Sequence, residues 1–259
     1  MEQAIDRYKK SDSFLVLSEN TRSGYTADLV QFQEYCRTQD ISSVRQVESE
    51  DIRNWHHQLR QTGRAPATIN RKRASLSGFL DWAQAEGIIR PDFKKSLPKY
   101  EPIGKKRPGI LSAEQVGKLI SNARDLRDAS LILITLATDA RISEILDLNA
   151  EDVFSTKEGN HVVSFKRRKS PRTLAIDKKI GDVITEYKKN NGLKHGDPLF
   201  QGYYTRNRGR LTGCRLTRQA VDLMLKRYYG PMIGVVDLNH RMLRNGFYKQ
   251  TFRNSASTS

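Results

Sequence analysis

Apolar residues recur at three- and four-residue steps through most of the chain, the pattern of amphipathic helices. Between Ser23 and Arg37, the residues Tyr25, Leu29, Phe32 and Cys36 share one face. Ser49 can cap a helix beginning at Glu50, with Ile52, Trp55 and Leu59 as its apolar stripe. Gly63 to Pro66 interrupts the pattern. Residues 67–86 then predict a long helix with Ile69, Leu76, Leu80 and Ala83 buried, ended by Gly87. The first hundred residues therefore read as an all-α unit. From Pro91 to Pro108 the chain changes character: four prolines and five lysines predict an extended, charged linker.

The second half mixes periods. Ser112 with Gln115 three residues on predicts a capping box, and helices follow over 113–123 and 126–138. Arg141 to Leu148 predicts another amphipathic turn or two. His161–Phe165 and Thr173–Ile176, rich in Val, Phe, Thr and Ile, predict two strands joined by a basic tip. Helix returns over 180–190. Leu199-Phe200 is a short apolar stretch and 203–215 reads as a basic loop. Thr217 caps a helix running to Tyr229, with Val221, Leu223, Met224, Leu225 and Tyr228 apolar, and a last helix spans about 239–251. The expected fold is mainly α, an all-α N-terminal domain followed by an α+β domain with a small antiparallel sheet. The expected divisions are 1–98, a linker at 99–108, and 109–259.

Charge narrows the partners. The chain has 259 residues and a formal charge of +16. Residues 1–100 carry 16 basic and 13 acidic side chains, and residues 101–259 carry 29 and 16. A field that strong in one half implies a polyanion. Nucleic acid is favoured over a membrane surface, because Trp55 and Trp82, the anchors a membrane helix would use, sit in the less basic half. No apolar run approaches the roughly 18 residues of a membrane span, and Met1–Lys10 has no apolar signal core. Cys36 and Cys214 are too few and too separated for a disulfide framework or a zinc site. A cytoplasmic, nucleoid-associated protein with no metal and no cofactor is the expectation.

Three basic constellations can carry chemistry. Arg141 opens Arg141-Ile142-Ser143-Glu144, where Glu144, one helical turn on, can brace the guanidinium as a fixed fork for phosphate. The hairpin tip reads Lys166-Arg167-Arg168-Lys169-Ser170-Pro171-Arg172, and so many cations repel one another unless an anion lies among them. Arg241 and Arg244 stand one turn apart near the C-terminus. A fourth basic cluster, Arg71, Lys72 and Arg73, opens the 67–86 helix. Taken singly, each also fits an ordinary solvated face.

In this order and context the residues resemble the tyrosine recombinase (phage integrase) family, whose catalytic domain has Arg-Ile-Ser-Glu-Leu, a lysine hairpin and a His-x-x-Arg helix. Here these are Arg141-Ile142-Ser143-Glu144-Ile145, the 166–172 hairpin and Arg241-Met242-Leu243-Arg244. Pro66 to Arg73 with Phe79 to Ala83 is similar to the family's DNA-clamping helix, in a SAM-like core-binding domain. The resemblance, over roughly residues 12–250, implies a site-specific recombinase that binds duplex DNA and exchanges strands through a 3′-phosphotyrosyl intermediate without metal or nucleotide. It implies Arg141, Arg241 and Arg244 on the phosphate and Lys166 as general acid, with Arg167 as the competing assignment. It implies DNA contacts from Arg71, Lys72, Arg73, Arg167, Arg168, Lys169 and Arg172, and self-association on DNA as dimer to tetramer. Two departures stand out. The family's histidine aligns with Arg241, while His240 is one place off and so rotated by about 100°. The family's nucleophilic tyrosine stands well past the second arginine, but only 15 residues follow Arg244 here, and Tyr248 is the one tyrosine among them. The expectation is a chain ending before that nucleophile and deficient in cleavage as written, with Tyr248 as the fallback. A non-catalytic DNA-binding regulator and a type IB topoisomerase-like relaxing enzyme are the alternatives.

Overall fold

The computed structural model describes residues 1–89, 97–104, 109–166, 171–204 and 210–245. The chain divides into two compact units, Met1–Lys106 and Arg107–Ser259. Among the described residues, no helix is long and apolar enough to cross a membrane.

The regular elements of the first unit are all helices among the described residues. Its elements are α1 (Glu2–Lys9), α2 (Asp12–Leu15), α3 (Glu19–Thr38), α4 (Ser49–Gln61) and α5 (Pro66–Ala85). Pro66 opens α5 at a position where a missing N–H costs nothing. Ser49 is the first helical residue of α4 rather than its cap. The cap is Glu48, whose backbone N–H donates to Asp51 Oδ2 at 2.7 Å. The core is aromatic, with Phe32 against Trp55 at 5.0 Å and Tyr8 against Phe14 at 5.1 Å and Phe79 at 5.6 Å. Gly78 makes the α1–α5 approach possible, because a Cβ there would lie 2.7 Å from the Tyr8 hydroxyl.

A charged knot lies inside this core, between α3 and α5. Asp28 and Lys72 are each 1% exposed, and their side chains meet at 2.8 Å. Lys72 Nζ also donates to Gln31 Oε1 at 2.6 Å, and Arg71 pairs with the other oxygen of Asp28. The stretch 97–104, expected as free linker, is laced to the same unit. Asn70 donates to the Glu101 carbonyl at 2.9 Å and accepts from the Glu101 N–H at 2.7 Å, and Arg60 Nε donates to the Glu101 carboxylate at 2.6 Å.

The second unit opens with the expected capping box, Gln115 N–H to Ser112 Oγ at 3.2 Å and Ser112 N–H to Gln115 Oε1 at 2.9 Å. The helices α6 (Ala113–Ser121), α7 (Leu126–Thr138) and α8 (Ile142–Leu146) follow. The strands β1 (Val153–Ser155), β2 (His161–Phe165) and β3 (Arg172–Ile176) form an antiparallel sheet in that order. It packs against α9 (Lys178–Asn190), and Gly181 admits the His161 ring, whose Cγ would stand 2.0 Å from a Cβ there. The expected basic loop contains a second hairpin, β4 (Gln201–Tyr203) with β5 (Leu211–Arg215). The sequence of β5, Leu-Thr-Gly-Cys-Arg, has no alternating apolar face, so its ladder was not legible.

Thr217 caps α10 (Arg218–Met224), donated to by the Ala220 N–H at 3.1 Å. The predicted single helix to Tyr229 instead passes into a π turn, Leu225–Tyr229, and a short α11 (Gly230–Met232). The wider turn accompanies a change of face: Tyr229 is buried, while Tyr228 is 42% exposed. The Tyr229 hydroxyl donates to Asp128 Oδ2 at 2.9 Å and accepts from the Arg124 N–H at 3.1 Å. Asn239 caps α12 (His240–Arg244), its side chain accepting from the Met242 N–H at 3.2 Å.

Both tryptophans lie in the first unit, so their fluorescence reports its unfolding. Asp28→Ala strands the Lys72 ammonium without an anion and should cost about 3–5 kcal/mol in urea denaturation. Glu34→Ala breaks an exposed pair with Arg37 and should cost less than about 1 kcal/mol. Equal small losses would show that the knot carries no stability.

Candidate functional site

Two chain turns bring the distant arginines together. Helix α7 ends at Thr138, and Asp139 follows in left-handed conformation with φ 55°. The chain is thereby redirected, and Arg141 becomes the N-cap of α8. Glu144 is buried and accepts the Arg141 backbone N–H at 2.6 Å, while its other oxygen lies 3.7 Å from the Arg172 guanidinium. Glu144 thus fixes the backbone under Arg141. From the other direction, α12 turns His240 and Leu243 inward and leaves Arg241 exposed and Arg244 half-buried.

Arg141, Arg241 and Arg244 line one cleft of about 610 Å³. Arg218 and Lys226, from α10 and the π turn, line it too, together with the carboxylates of Asp222 and Asp237. Five cations therefore face two acids. Arg244 Nε lies 3.0 Å from Asp139 Oδ1, Lys226 Nζ lies 3.4 Å from Asp237 Oδ1, and Arg218 Nε lies 3.7 Å from Asp222 Oδ2. The i, i+4, i+8 spacing of Arg218, Asp222 and Lys226 was visible in the sequence as a helical stripe, yet nothing in it distinguished a cleft wall from a solvated face.

His240 sits under the cleft floor, 6% exposed, with Nε2 3.2 Å from Thr135 Oγ1. The Thr135 hydroxyl donates to the Leu131 carbonyl at 2.7 Å, so its oxygen accepts and the imidazole proton belongs on Nε2. Burial, then the charges of Arg244 and Arg218, bring the His240 pKa down to about 4. At neutral pH the ring is uncharged and serves as a packing and hydrogen-bonding element.

The remaining sequence candidates lie elsewhere or are otherwise engaged. Lys166 is exposed and pairs with Asp152 Oδ1 at 3.2 Å, outside the set that lines the cleft. Arg167, Arg168, Lys169 and Tyr248 lie outside the described residues. At residues 71–73 the expected DNA contact from Lys72 is corrected, while Arg71 is exposed and Arg73 half-buried. Lys72 is buried on Asp28, and Arg71 pairs with Asp28 and donates to the Gly24 carbonyl at 3.0 Å. Arg73 donates to the Pro98 carbonyl at 2.5 Å and lies 4.0 Å over the Tyr100 ring. All three make contacts within the first unit, and the Lys72 ammonium, enclosed with Asp28 and Gln31, is out of reach of DNA. The sequence could not show this, because Asp28 stands 44 residues from Lys72.

A cleft lined by four arginines and a lysine, on a mostly helical unit with small antiparallel sheets, has the charge and the donors that suit a tetrahedral oxyanion. The family models agree with that chemistry and narrow it. Residues 14–87 match the phage integrase N-terminal SAM-like domain, and residues 110–259 match the phage integrase family. The chain belongs to the phage integrase family, the tyrosine recombinases. It is 30% identical over 249 residues to TTE1313 of Caldanaerobacter subterraneus subsp. tengcongensis, which carries a tyrosine recombinase name, covering 93% of this chain and 80% of that protein. It is 27% identical to tyrosine recombinase XerC of Roseiflexus castenholzii, covering 89% of this chain and 74% of that one. In fold it is similar to the XerH site-specific recombinase bound to its difH substrate, with a TM-score of 0.68, 19% identity, and 91% and 70% of the two chains covered. A lambda integrase dimer bound to a COC' core site gives 0.66 at 16% identity, covering 94% of this chain and 67% of that one.

The His240 environment has a pH signature. Its folded pKa lies below the usual 6.5, so as pH falls from about 6.5 toward 4 the unfolded chain takes up a proton that the folded chain refuses. Stability should fall across that window by up to about 3 kcal/mol. His240→Gln keeps a hydrogen-bond donor without titrating, and its urea stability, followed by circular dichroism, should lose that part of the slope. Parallel curves for the two proteins would place the proton elsewhere.

Proposed function

We propose that the chain is a site-specific DNA recombinase whose second unit grips one backbone phosphate of duplex DNA in the cleft between α8, α10 and α12. The carrying observation is that Arg141, Arg241 and Arg244, a hundred residues apart in sequence, line a single cleft. Phosphodiester cleavage by a tyrosine hydroxyl gathers negative charge on the non-bridging oxygens as the new P–O bond forms. Fixed guanidinium groups stabilise that charge without reorganising. Arg141 and Arg244 take this role. Arg241, standing at the family's histidine position, donates hydrogen bonds to the phosphate but has no acceptor and cannot act as a base.

The leaving 5′-oxygen requires a proton. Lys166 supplies it on this reading, which requires the ammonium to exchange Asp152 for DNA. The nearby histidine is unsuited to the task, being neutral at pH 7 with its Nε2 proton engaged by Thr135. Tyr248 is the candidate nucleophile within this sequence. The first unit, with the 97–104 stretch laced to it, acts as the core-binding domain and the second as the catalytic domain, with the protein assembling on DNA as dimer to tetramer. Relatives bearing the XerC name, and solved recombinases in complex with DNA, support the assignment of duplex DNA as partner.

A nicked duplex that traps the covalent adduct tests the chemistry. Arg141→Ala and Arg244→Ala should each lower adduct formation by about 10²-fold or more, and Tyr248→Phe should abolish it. Arg37→Ala, outside the cleft, should leave it unchanged. Arg244→Ala should also reduce the slope of log affinity against log salt by about 1. Full adduct yield in both cleft variants would overturn the assignment of the cleft. An adduct that persists in Tyr248→Phe would transfer the nucleophile's role alone.

A further inference from the structure

We infer that Asp139 is a positioning residue for Arg244, holding its guanidinium by Nε so that the two terminal nitrogens remain available to the phosphate; the inference rests on the phosphate-gripping reading of the cleft. Three observations converge on it. Asp139 stands in left-handed backbone, φ 55°, at the end of α7, a position that glycine or asparagine ordinarily fills. Aspartate tolerates this conformation, as Asp40 does after α3 with φ 57°, so the backbone fits a helix terminator and the carboxylate's partner decides whether it does more.

The second observation is where its carboxylate goes. Oδ1 lies 3.0 Å from Arg244 Nε in an ion pair that lacks hydrogen-bond alignment; both atoms are shut off from solvent although the Asp139 side chain is 41% exposed. The Arg244 side chain as a whole is still 30% exposed. The contact is therefore dry at Nε while part of the side chain reaches water. A guanidinium held at Nε keeps Nη1 and Nη2, the pair that makes a fork to a second oxyanion.

The third observation is the turn itself. Asp139 is two residues before Arg141, so one short turn sets both arginines, one through the backbone that caps α8 and the other through a carboxylate. The two phosphate ligands, 103 positions apart in the chain, are thereby coupled by residues 139–141. Asp237 on Lys226 repeats the device more loosely, with φ 57° and 3.4 Å.

A carboxylate beside a DNA site can also act as a mere counter-ion that DNA must displace, and the two roles differ in sign. A counter-ion weakens DNA binding, so removing it strengthens binding whatever stands at 244. A positioning residue strengthens binding only through Arg244. A double-mutant cycle on the full chain, reading the dissociation constant for a duplex by fluorescence anisotropy at fixed salt, separates them. Asp139→Gly suits the backbone, so its thermal stability should equal or exceed that of the unsubstituted protein. Asp139→Asn keeps the size and tolerates the left-handed turn.

Both variants should weaken binding by about fivefold when Arg244 is present, and neither should weaken it in an Arg244→Ala background. Stronger binding in both backgrounds would make Asp139 a counter-ion, and unchanged binding in both would make it a helix terminator; either result overturns the inference while leaving the cleft's function intact. Arg244→Ala binding as tightly as the unsubstituted protein would instead refute the phosphate-gripping reading, and this inference with it.

Discussion

Five cations in one cleft repel one another, and acids and caps that fix most of them offset that repulsion. That constraint organises the second unit. Carboxylates and backbone caps do the holding: Asp139 on Arg244, Asp237 on Lys226, Asp222 near Arg218, and the Glu144 bond to the Arg141 backbone. Each anion leaves its cation partly reachable. The cleft is assembled in advance of its substrate and keeps an excess of positive charge, the arrangement that electrostatic stabilisation of a phosphoryl transition state needs.

The first unit uses the same charges for the opposite end. Asp28 and Lys72 are fully enclosed between α3 and α5, and Arg71 closes over them. Burial removes Asp28 and Lys72 from any outside partner and makes the pair a tie between two long helices, while Arg71 stays exposed at its edge. Exposure decides which role a cation can have, and exposure is a property of the fold. The Asp139–Arg244 contact stands between the extremes, dry where the two atoms touch and wet beyond.

Local chemistry was readable in the sequence where it was written locally. The Ser112–Gln115 capping box, the long helix expected over 67–86 and found as α5, and strands β2 and β3 follow from residues a few positions apart. Arg141 and Arg244 were legible because their flanking residues resemble a known motif. What remained hidden depends on distant partners. Lys72 meets Asp28 from 44 positions away, Tyr229 reaches Asp128 across 101, and these contacts accompany the burial of Lys72 and the π turn after α10. The β4–β5 hairpin was illegible for another reason, since a ladder of backbone bonds needs no apolar alternation. Arg218 and Lys226 carry no motif, and only the fold places them beside Arg141.

The central claim is that the guanidinium groups of Arg141 and Arg244 act on one tetrahedral oxyanion. Soaking crystals of the protein with tungstate, a heavy analogue of phosphate, and locating it by anomalous scattering addresses this directly. The account predicts a peak within hydrogen-bonding distance of both guanidinium groups, on the side of Arg244 away from Asp139. A well-occupied peak that meets only one of the two arginines, with none between them, would contradict it.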